Sequence, residues 1–237
     1  MRYRRDGAVG VISLDRPPVN AYDAAMHRQL TRAWQVAAGD DQARVIVLRA
    51  EGRNFCAGAD LGSPTGLDAE PEHDEVTPWD ELGFIRNLPK PTIAAVQGGC
   101  IGGAQRFVFP CDLLFCSENA FFRDPLVSMG IGGIQAPIHA WLYGPRLAKE
   151  MLYSGMAVSA QRLYTMGTVN RIYPRQALTD ETLAFARSIA RQDPPALRQA
   201  KRAVNMTSDI MGQHYIANRF MELMDPRPQP TRPPTPA

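Results

Sequence analysis

An α/β fold is predicted by two features of this 237-residue chain. Short apolar runs alternate with segments of helical spacing through residue 125, and the pattern turns helical after residue 135. Val9-Gly10-Val11-Ile12-Ser13-Leu14 reads as a strand. Ala24 to Ala38 carries helical spacing, and Arg44-Val45-Ile46-Val47-Leu48-Arg49 reads as a buried strand, giving a strand, helix, strand order. Thr92-Ile93-Ala94-Ala95-Val96 and Leu113-Leu114-Phe115-Cys116 supply further strands, with the helical stretch Ala104 to Phe109 between them.

Gly62 to Pro78 contains Asp68, Glu70, Glu72, His73, Asp74 and Glu75 and almost no apolar periodicity, and is expected to be a mobile loop. Helices are expected over Pro145 to Tyr153, Ala160 to Met166, Leu178 to Arg191 and Pro195 to Val204, with a last one through Met224. The methionines on these segments, such as Met151, Met206 and Met211, read as core or subunit packing. Residues 226–237 are too rich in proline and too poor in apolar residues to fold alone. The expected organisation is a core over 1–190, a helical region over 191–225 and a disordered tail over 226–237.

With 45% hydrophobic and 21% charged residues, the chain has enough apolar material for one main domain. A net charge of +2 and basic runs no longer than Arg2 to Arg5 and Lys201-Arg202 argue against a nucleic-acid partner. Neither a secretory apolar region nor a run of membrane-spanning length is visible, so no membrane partner and a cytoplasmic location are expected. Cys56, Cys100, Cys111 and Cys116 are expected to be buried, reduced thiols. The spacing of Cys111 and Cys116 is not C-x-x-C and no histidine lies near either, so no metal is expected.

Two stretches look built to aim backbone N–H groups at one oxygen: Phe55-Cys56-Ala57-Gly58-Ala59-Asp60 and Gly98-Gly99-Cys100-Ile101-Gly102-Gly103-Ala104. Glycine and small residues let backbone approach a ligand closely, and donors aimed at a carbonyl stabilise the negative charge that develops there. That pattern suggests an oxyanion hole, and it points to acyl-group chemistry.

Four strings in order then match a family: Leu14-Asp15-Arg16-Pro17-Pro18-Val19-Asn20-Ala21; Phe55 to Leu61; Gly98 to Asp112; and Leu147-Ala148-Lys149-Glu150-Met151-Leu152-Tyr153-Ser154-Gly155. Over about residues 5 to 225 the chain resembles the crotonase (enoyl-CoA hydratase/isomerase) superfamily. The resemblance implies the ClpP/crotonase fold, a spiral of ββα units with C-terminal helices that support trimers, often paired into hexamers. It implies an acyl-CoA substrate, with coenzyme A part of that substrate and no separate cofactor. It also implies that the thioester oxygen is held by the N–H groups of Ala59 and Gly103. Asn20, Ala21, Cys56 and Ala57, with neighbouring Asp60, Leu61 and Leu126, become candidates for contacting CoA or substrate. Pro18 stands where a basic residue often follows R-P, leaving Arg16 or Arg53 as candidate phosphate partners.

A hydratase of this type uses two glutamates, and the resemblance places Arg106 and Leu126 at their positions. Neither moves a proton at neutral pH. Asp124 lies two residues before Leu126, and in an extended segment both would point to one side, bringing its carboxylate into the pocket. It is read either as the proton carrier or as a cap. His139, in His139-Ala140-Trp141, either assists or packs. Arg106 either enters the pocket, pairing with Asp124 or with a substrate carboxylate, or faces a neighbouring subunit. Ser128, Gln135 and Tyr143 could order a water. The functions in competition are an enoyl-CoA hydratase/isomerase-like reaction through an enolate, C–C bond hydrolysis or decarboxylation, and acyl-CoA binding without catalysis.

Overall fold

The computed structural model describes residues 1–62, 78–131 and 136–213. Most of the expected loop after Gly62, Gln135, the helix end through Met224 and the Pro-rich tail lie outside them. The described elements are β1 (Arg2–Asp6), β2 (Val9–Leu14), α1 (Ala24–Gly39), β3 (Val45–Ala50), α2 (Pro78–Arg86), β4 (Thr92–Val96) and β5 (Gly99–Ile101). There follow α3 (Gln105–Val108), β6 (Leu113–Ser117), β7 (Phe121–Arg123), α4 (Ala136–Ser154), β8 (Val158–Ser159), α5 (Ala160–Thr165), β9 (Arg171–Tyr173), α6 (Leu178–Ala190) and α7 (Pro194–Ile210). Single 3-10 turns at Gly102–Ala104 and Leu126–Met129 follow β5 and β7.

Two sheets result. One has the order β1-β2-β3-β4-β6-β9 and the other β5-β7-β8. In β4-β5-α3 and again in β6-β7-α4, the first strand joins the large sheet and the second joins the small one. The chain thus advances as a spiral of ββα turns. Within the large sheet β2, β3, β4, β6 and β9 run parallel, in a register that sets Val11 against Val47, Val47 against Ile93 and Ala95 against Phe115. Both faces of such a sheet are covered, which is why β2 and β4 read as continuous apolar runs and are buried throughout.

The period-two alternation sorts the core. Val9, Val11, Val45, Val47, Ile93, Ala95 and Phe115 pack against Leu178, Leu183, Ala186 and Ala190 of α6. Ile12, Leu14, Ile46, Leu48, Ala94, Val96 and Cys116 turn the other way, toward Met26, Leu30, Ala33, Trp34 and Ala37 of α1 and toward the small sheet. Asp23 starts α1 by accepting the Met26 N–H at 2.8 Å, a cap worth about 1 kcal/mol. The arginine run at the N-terminus is β1, an exposed edge strand whose charges discourage pairing with another sheet.

The strands β5, β7, β8 and β9 were not anticipated, being only two or three residues long. The segment after residue 135 is one helix broken at Gly144, with Pro145 beginning its second half. No residue of α7 is buried. It is attached by polar bonds instead: Lys201 Nζ lies 2.9 Å from Asp112 and donates to the Lys90 carbonyl at 3.1 Å, and Arg86 pairs with Asp209 at 3.0 Å. Among the described residues no helix is long and apolar enough to cross a membrane.

Candidate active site

Backbone hydrogen bonds interlock the two glycine-containing motifs. The Cys56 N–H donates to the Gly99 carbonyl and the Ile101 N–H donates to the Cys56 carbonyl, both at 3.1 Å, forming a parallel bridge between Cys56 and Cys100. Phe55 N–H donates to Gln97 O at 2.7 Å, and Gly99 N–H to the Asn54 side chain at 3.0 Å. A second bridge pairs Tyr22 with Ala59: Tyr22 N–H donates to Gly58 O at 2.9 Å and Asp60 N–H to Tyr22 O at 2.8 Å. Because the residues flanking Ala59 make both bonds to Tyr22, the N–H of Ala59 itself is turned to the opposite side.

Two of these glycines bear directly on the site. Gly58 has φ +95°, and a Cβ there would lie 3.0 Å from the Ile101 carbonyl oxygen. At Gly103 a Cβ would collide with the hydroxyl oxygen of Tyr22. The place of a side chain at 103 is therefore filled by a tyrosine from another part of the chain. Gly103 is buried in the 3-10 turn that leads into α3.

Tyr22 is a site residue that sequence reasoning missed, although it directly follows Asn20-Ala21. Its ring meets Phe107 edge-on at 5.3 Å, and the Arg106 guanidinium carbon lies 5.9 Å from its centroid. Burial raises the pKa of the phenol, and the charge of Arg106 works against that rise.

On the neighbouring segment, Asp124 and His139 are buried, 1% and 0% exposed, with Asp124 Oδ2 3.4 Å from His139 Nε2. The other carboxylate oxygen accepts the Leu126 N–H at 3.0 Å. The expectation that Asp124 and Leu126 share one side of an extended segment is corrected here. Pro125 has φ −89° and ψ 4°, and Leu126 begins a 3-10 turn, so the period of two does not apply. Asp124 caps that turn with one oxygen and faces His139 with the other. The His139 ring packs edge-on against Phe109 at 5.5 Å. Pro125 Cδ would lie 3.9 Å from a Cβ on Gly102, so this segment adjoins the glycine turn.

The Arg106 guanidinium lies over the Tyr22 ring. The ion pair with Asp124, one of the alternatives for this arginine, does not form, and Asp124 is directed to Leu126 and His139. Tyr143 is in the core, donating to Gln105 Oε1 at 2.7 Å, while Gln105 Nε2 donates to Arg123 O at 3.1 Å. Ser128 Oγ donates to Pro125 O at 2.6 Å.

The candidates for holding CoA are mostly engaged within the protein. Arg16 bonds Asp60 at 2.8 Å, Asp23 at 3.1 Å and the Ala21 carbonyl, and beside it the Asp60 carboxyl is held below its ordinary range. With two carboxylates on it, Arg16 is a weak phosphate partner; Arg53 is exposed. Asn20 Oδ1 accepts the Arg16 N–H at 2.7 Å and its Nδ2 donates to Glu51 O at 2.8 Å, so the side chain braces the loop. The Ala57 N–H donates to Val19 O at 3.1 Å. Both backbone groups of Cys56 are committed, and burial pushes its thiol up to about 12. Leu61 is 70% exposed, and Leu126 is half-buried.

The family model of enoyl-CoA hydratase/isomerase matches residues 4–228. A crystal structure of a probable enoyl-CoA hydratase from Mycobacterium smegmatis is 41% identical, with a TM-score of 0.86, and the match covers 94% of this chain and 91% of that one. EchA13 of Mycobacterium tuberculosis, whose name assigns it provisionally to the enoyl-CoA hydratases, is 34% identical over 87% of this chain and 73% of its own length. The 2,3-dehydroadipyl-CoA hydratase of Escherichia coli is 32% identical over 90% of this chain and 84% of its own length. The chain belongs to the enoyl-CoA hydratase/isomerase family and has the crotonase fold.

Proposed function

We propose that this protein is an enoyl-CoA hydratase/isomerase-like enzyme. In this reading it polarises an acyl-CoA thioester oxygen with the backbone N–H groups of Ala59 and Gly103 and moves protons with the buried Asp124–His139 pair. The supporting observation is the double interlock: the Cys56–Cys100 and Tyr22–Ala59 bridges bring the two motifs together from 44 residues apart and turn the Ala59 N–H away from its own bridge partner. Fixed donors of this kind need no reorganisation as an enolate forms, so they favour the transition state over the ground state.

The other half of the reaction needs a proton carrier. Arg106 and Leu126 cannot serve. Asp124 can, with His139 as the group that shares its proton in a water-poor site, an acid and a base of different intrinsic strength set 3.4 Å apart. One such pair suffices for double-bond migration. For addition of water it would also have to deliver the proton that a second glutamate otherwise carries. Coenzyme A enters as part of the substrate, and no separate cofactor takes part. The solvent-facing apolar residues Met206 and Ile210, one turn apart on α7, fit a face used between copies in a homotrimer or hexamer.

The test is exchange of α-protons in D2O for saturated and unsaturated acyl-CoAs, read by mass spectrometry. Exchange is expected in the wild type and, in Asp124→Asn, should fall by about a hundredfold to ten-thousandfold. Undiminished exchange in the variant would remove Asp124 from the mechanism. Tight binding without exchange on every thioester would turn the reading toward a binder of acyl-CoA.

A further inference from the structure

We infer that Arg106 and Tyr22 form an anion-receiving site beside the thioester, so that the preferred acyl group carries a free carboxylate close to the thioester carbon; this rests on the acyl-CoA reading above. Arg106 follows Gly103 by three residues on the first turn of α3. Its Nε is buried without a hydrogen-bond partner, and no described carboxylate forms an ion pair with it.

The described acids of the site are turned toward other groups. Asp124 faces His139 and caps Leu126, while Asp23 and Asp60 both bond Arg16. Among the described residues Arg106 is therefore a partly desolvated cation without a counter-charge, an arrangement that costs free energy until an anion arrives. A planar guanidinium matches a carboxylate with two parallel hydrogen bonds, which a point charge does not.

Tyr22 supplies the second donor. Its ring is fixed against Phe107, and its hydroxyl lies against the Cα of Gly103. Burial disfavours the phenolate, so the hydroxyl keeps its proton at neutral pH and can donate it. Both groups adjoin the residue proposed to hold the thioester oxygen. An anion there must therefore sit on one of the first carbons of the acyl chain, as in malonyl or succinyl thioesters, and not at the end of a long one.

Titration calorimetry decides this with malonyl- and succinyl-CoA against propionyl- and butyryl-CoA, their uncharged counterparts of equal chain length. The wild type should bind the carboxylated member of each pair about tenfold more tightly. In Arg106→Gln that ratio should fall to about one. Tyr22→Phe, which removes one oxygen and keeps the ring packing, should lower it about threefold and provides the second variant should Arg106→Gln not fold. A wild-type ratio near one with both members bound overturns this inference alone, as does a ratio that survives Arg106→Gln. Failure of all four thioesters to bind overturns it together with the acyl-CoA reading.

Discussion

The side of the site that would hold the thioester oxygen and the side that would move protons are built in opposite ways. The first consists of backbone. Ala59 and Gly103 are positioned by main-chain hydrogen bonds among Tyr22, Gly58, Asp60, Cys56, Gly99 and Ile101. Side chains enter there chiefly by being small, or by filling the space a glycine leaves, as Tyr22 does at Gly103. The second consists of side chains: Asp124, just beyond β7, and His139 of α4, set 3.4 Å apart. A backbone wall withstands changes of side chain provided the chain can still follow its path. A side-chain wall loses its chemistry with a single atom.

Asp124→Asn should therefore have the largest effect. It keeps an oxygen able to accept the Leu126 N–H, so folding is preserved while turnover falls by at least about a hundredfold, checked by α-proton exchange beside a melting curve. A parallel loss of stability would show that the carboxylate is mainly a cap, and the contrast between the walls would weaken.

Gly103→Ala probes the backbone wall. The added methyl has no room against the Tyr22 hydroxyl, so ring and turn must separate, and kcat/KM should fall by about a hundredfold, in the range found on losing one oxyanion donor. Partial recovery in Gly103→Ala combined with Tyr22→Phe would locate the damage at that contact, whereas no recovery would place it in the turn itself.

His139→Gln should cost less, about tenfold in kcat, because Asp124 keeps the hydrogen bond from the Leu126 N–H while losing the imidazole 3.4 Å away. A fall in affinity with kcat unchanged would assign His139 to packing against Phe109 instead.

The mildest test uses the thiols. Burial pushes Cys56 up to about 12 from an ordinary value of 9.0 and raises Cys100, Cys111 and Cys116 as well. A thiol reagent at neutral pH should label the folded protein about a hundredfold more slowly than the unfolded chain, since only thiolate reacts. Above pH 9 the folded state holds these protons more tightly than the unfolded chain does. Stability should therefore decline as the pH climbs from about 9 toward 12. Rapid labelling of Cys56 would show that the backbone wall opens.

Local order explains what could be read directly. The strands at Val9–Leu14, Val45–Ala50 and Thr92–Val96 are buried on both faces, and a run of apolar residues encodes burial without reference to any partner. The three-residue strands Gly99–Ile101 and Phe121–Arg123 exist because they pair with each other in register, a long-range event that leaves almost no local signal. The same division holds in the site. The glycine motifs announced close backbone approach, since the missing side chain is itself a property of the residue. The reasoning from Asp124 to Leu126 failed because Pro125 and the 3-10 turn replaced the extended geometry it assumed.

By itself, then, the sequence determined an α/β chain, its family and the two backbone motifs, all matters of residue identity and spacing. Tertiary structure alone decided that Tyr22 fills the space at Gly103, that Asp124 meets His139 rather than Arg106, and that Arg16 is neutralised by Asp23 and Asp60. Each of these depends on where a charge or ring finds its partner across the fold. Hydrogen-bond and Coulomb energies are set by separations of a few ångströms, and segments distant in sequence acquire such separations only when the two sheets close on one another.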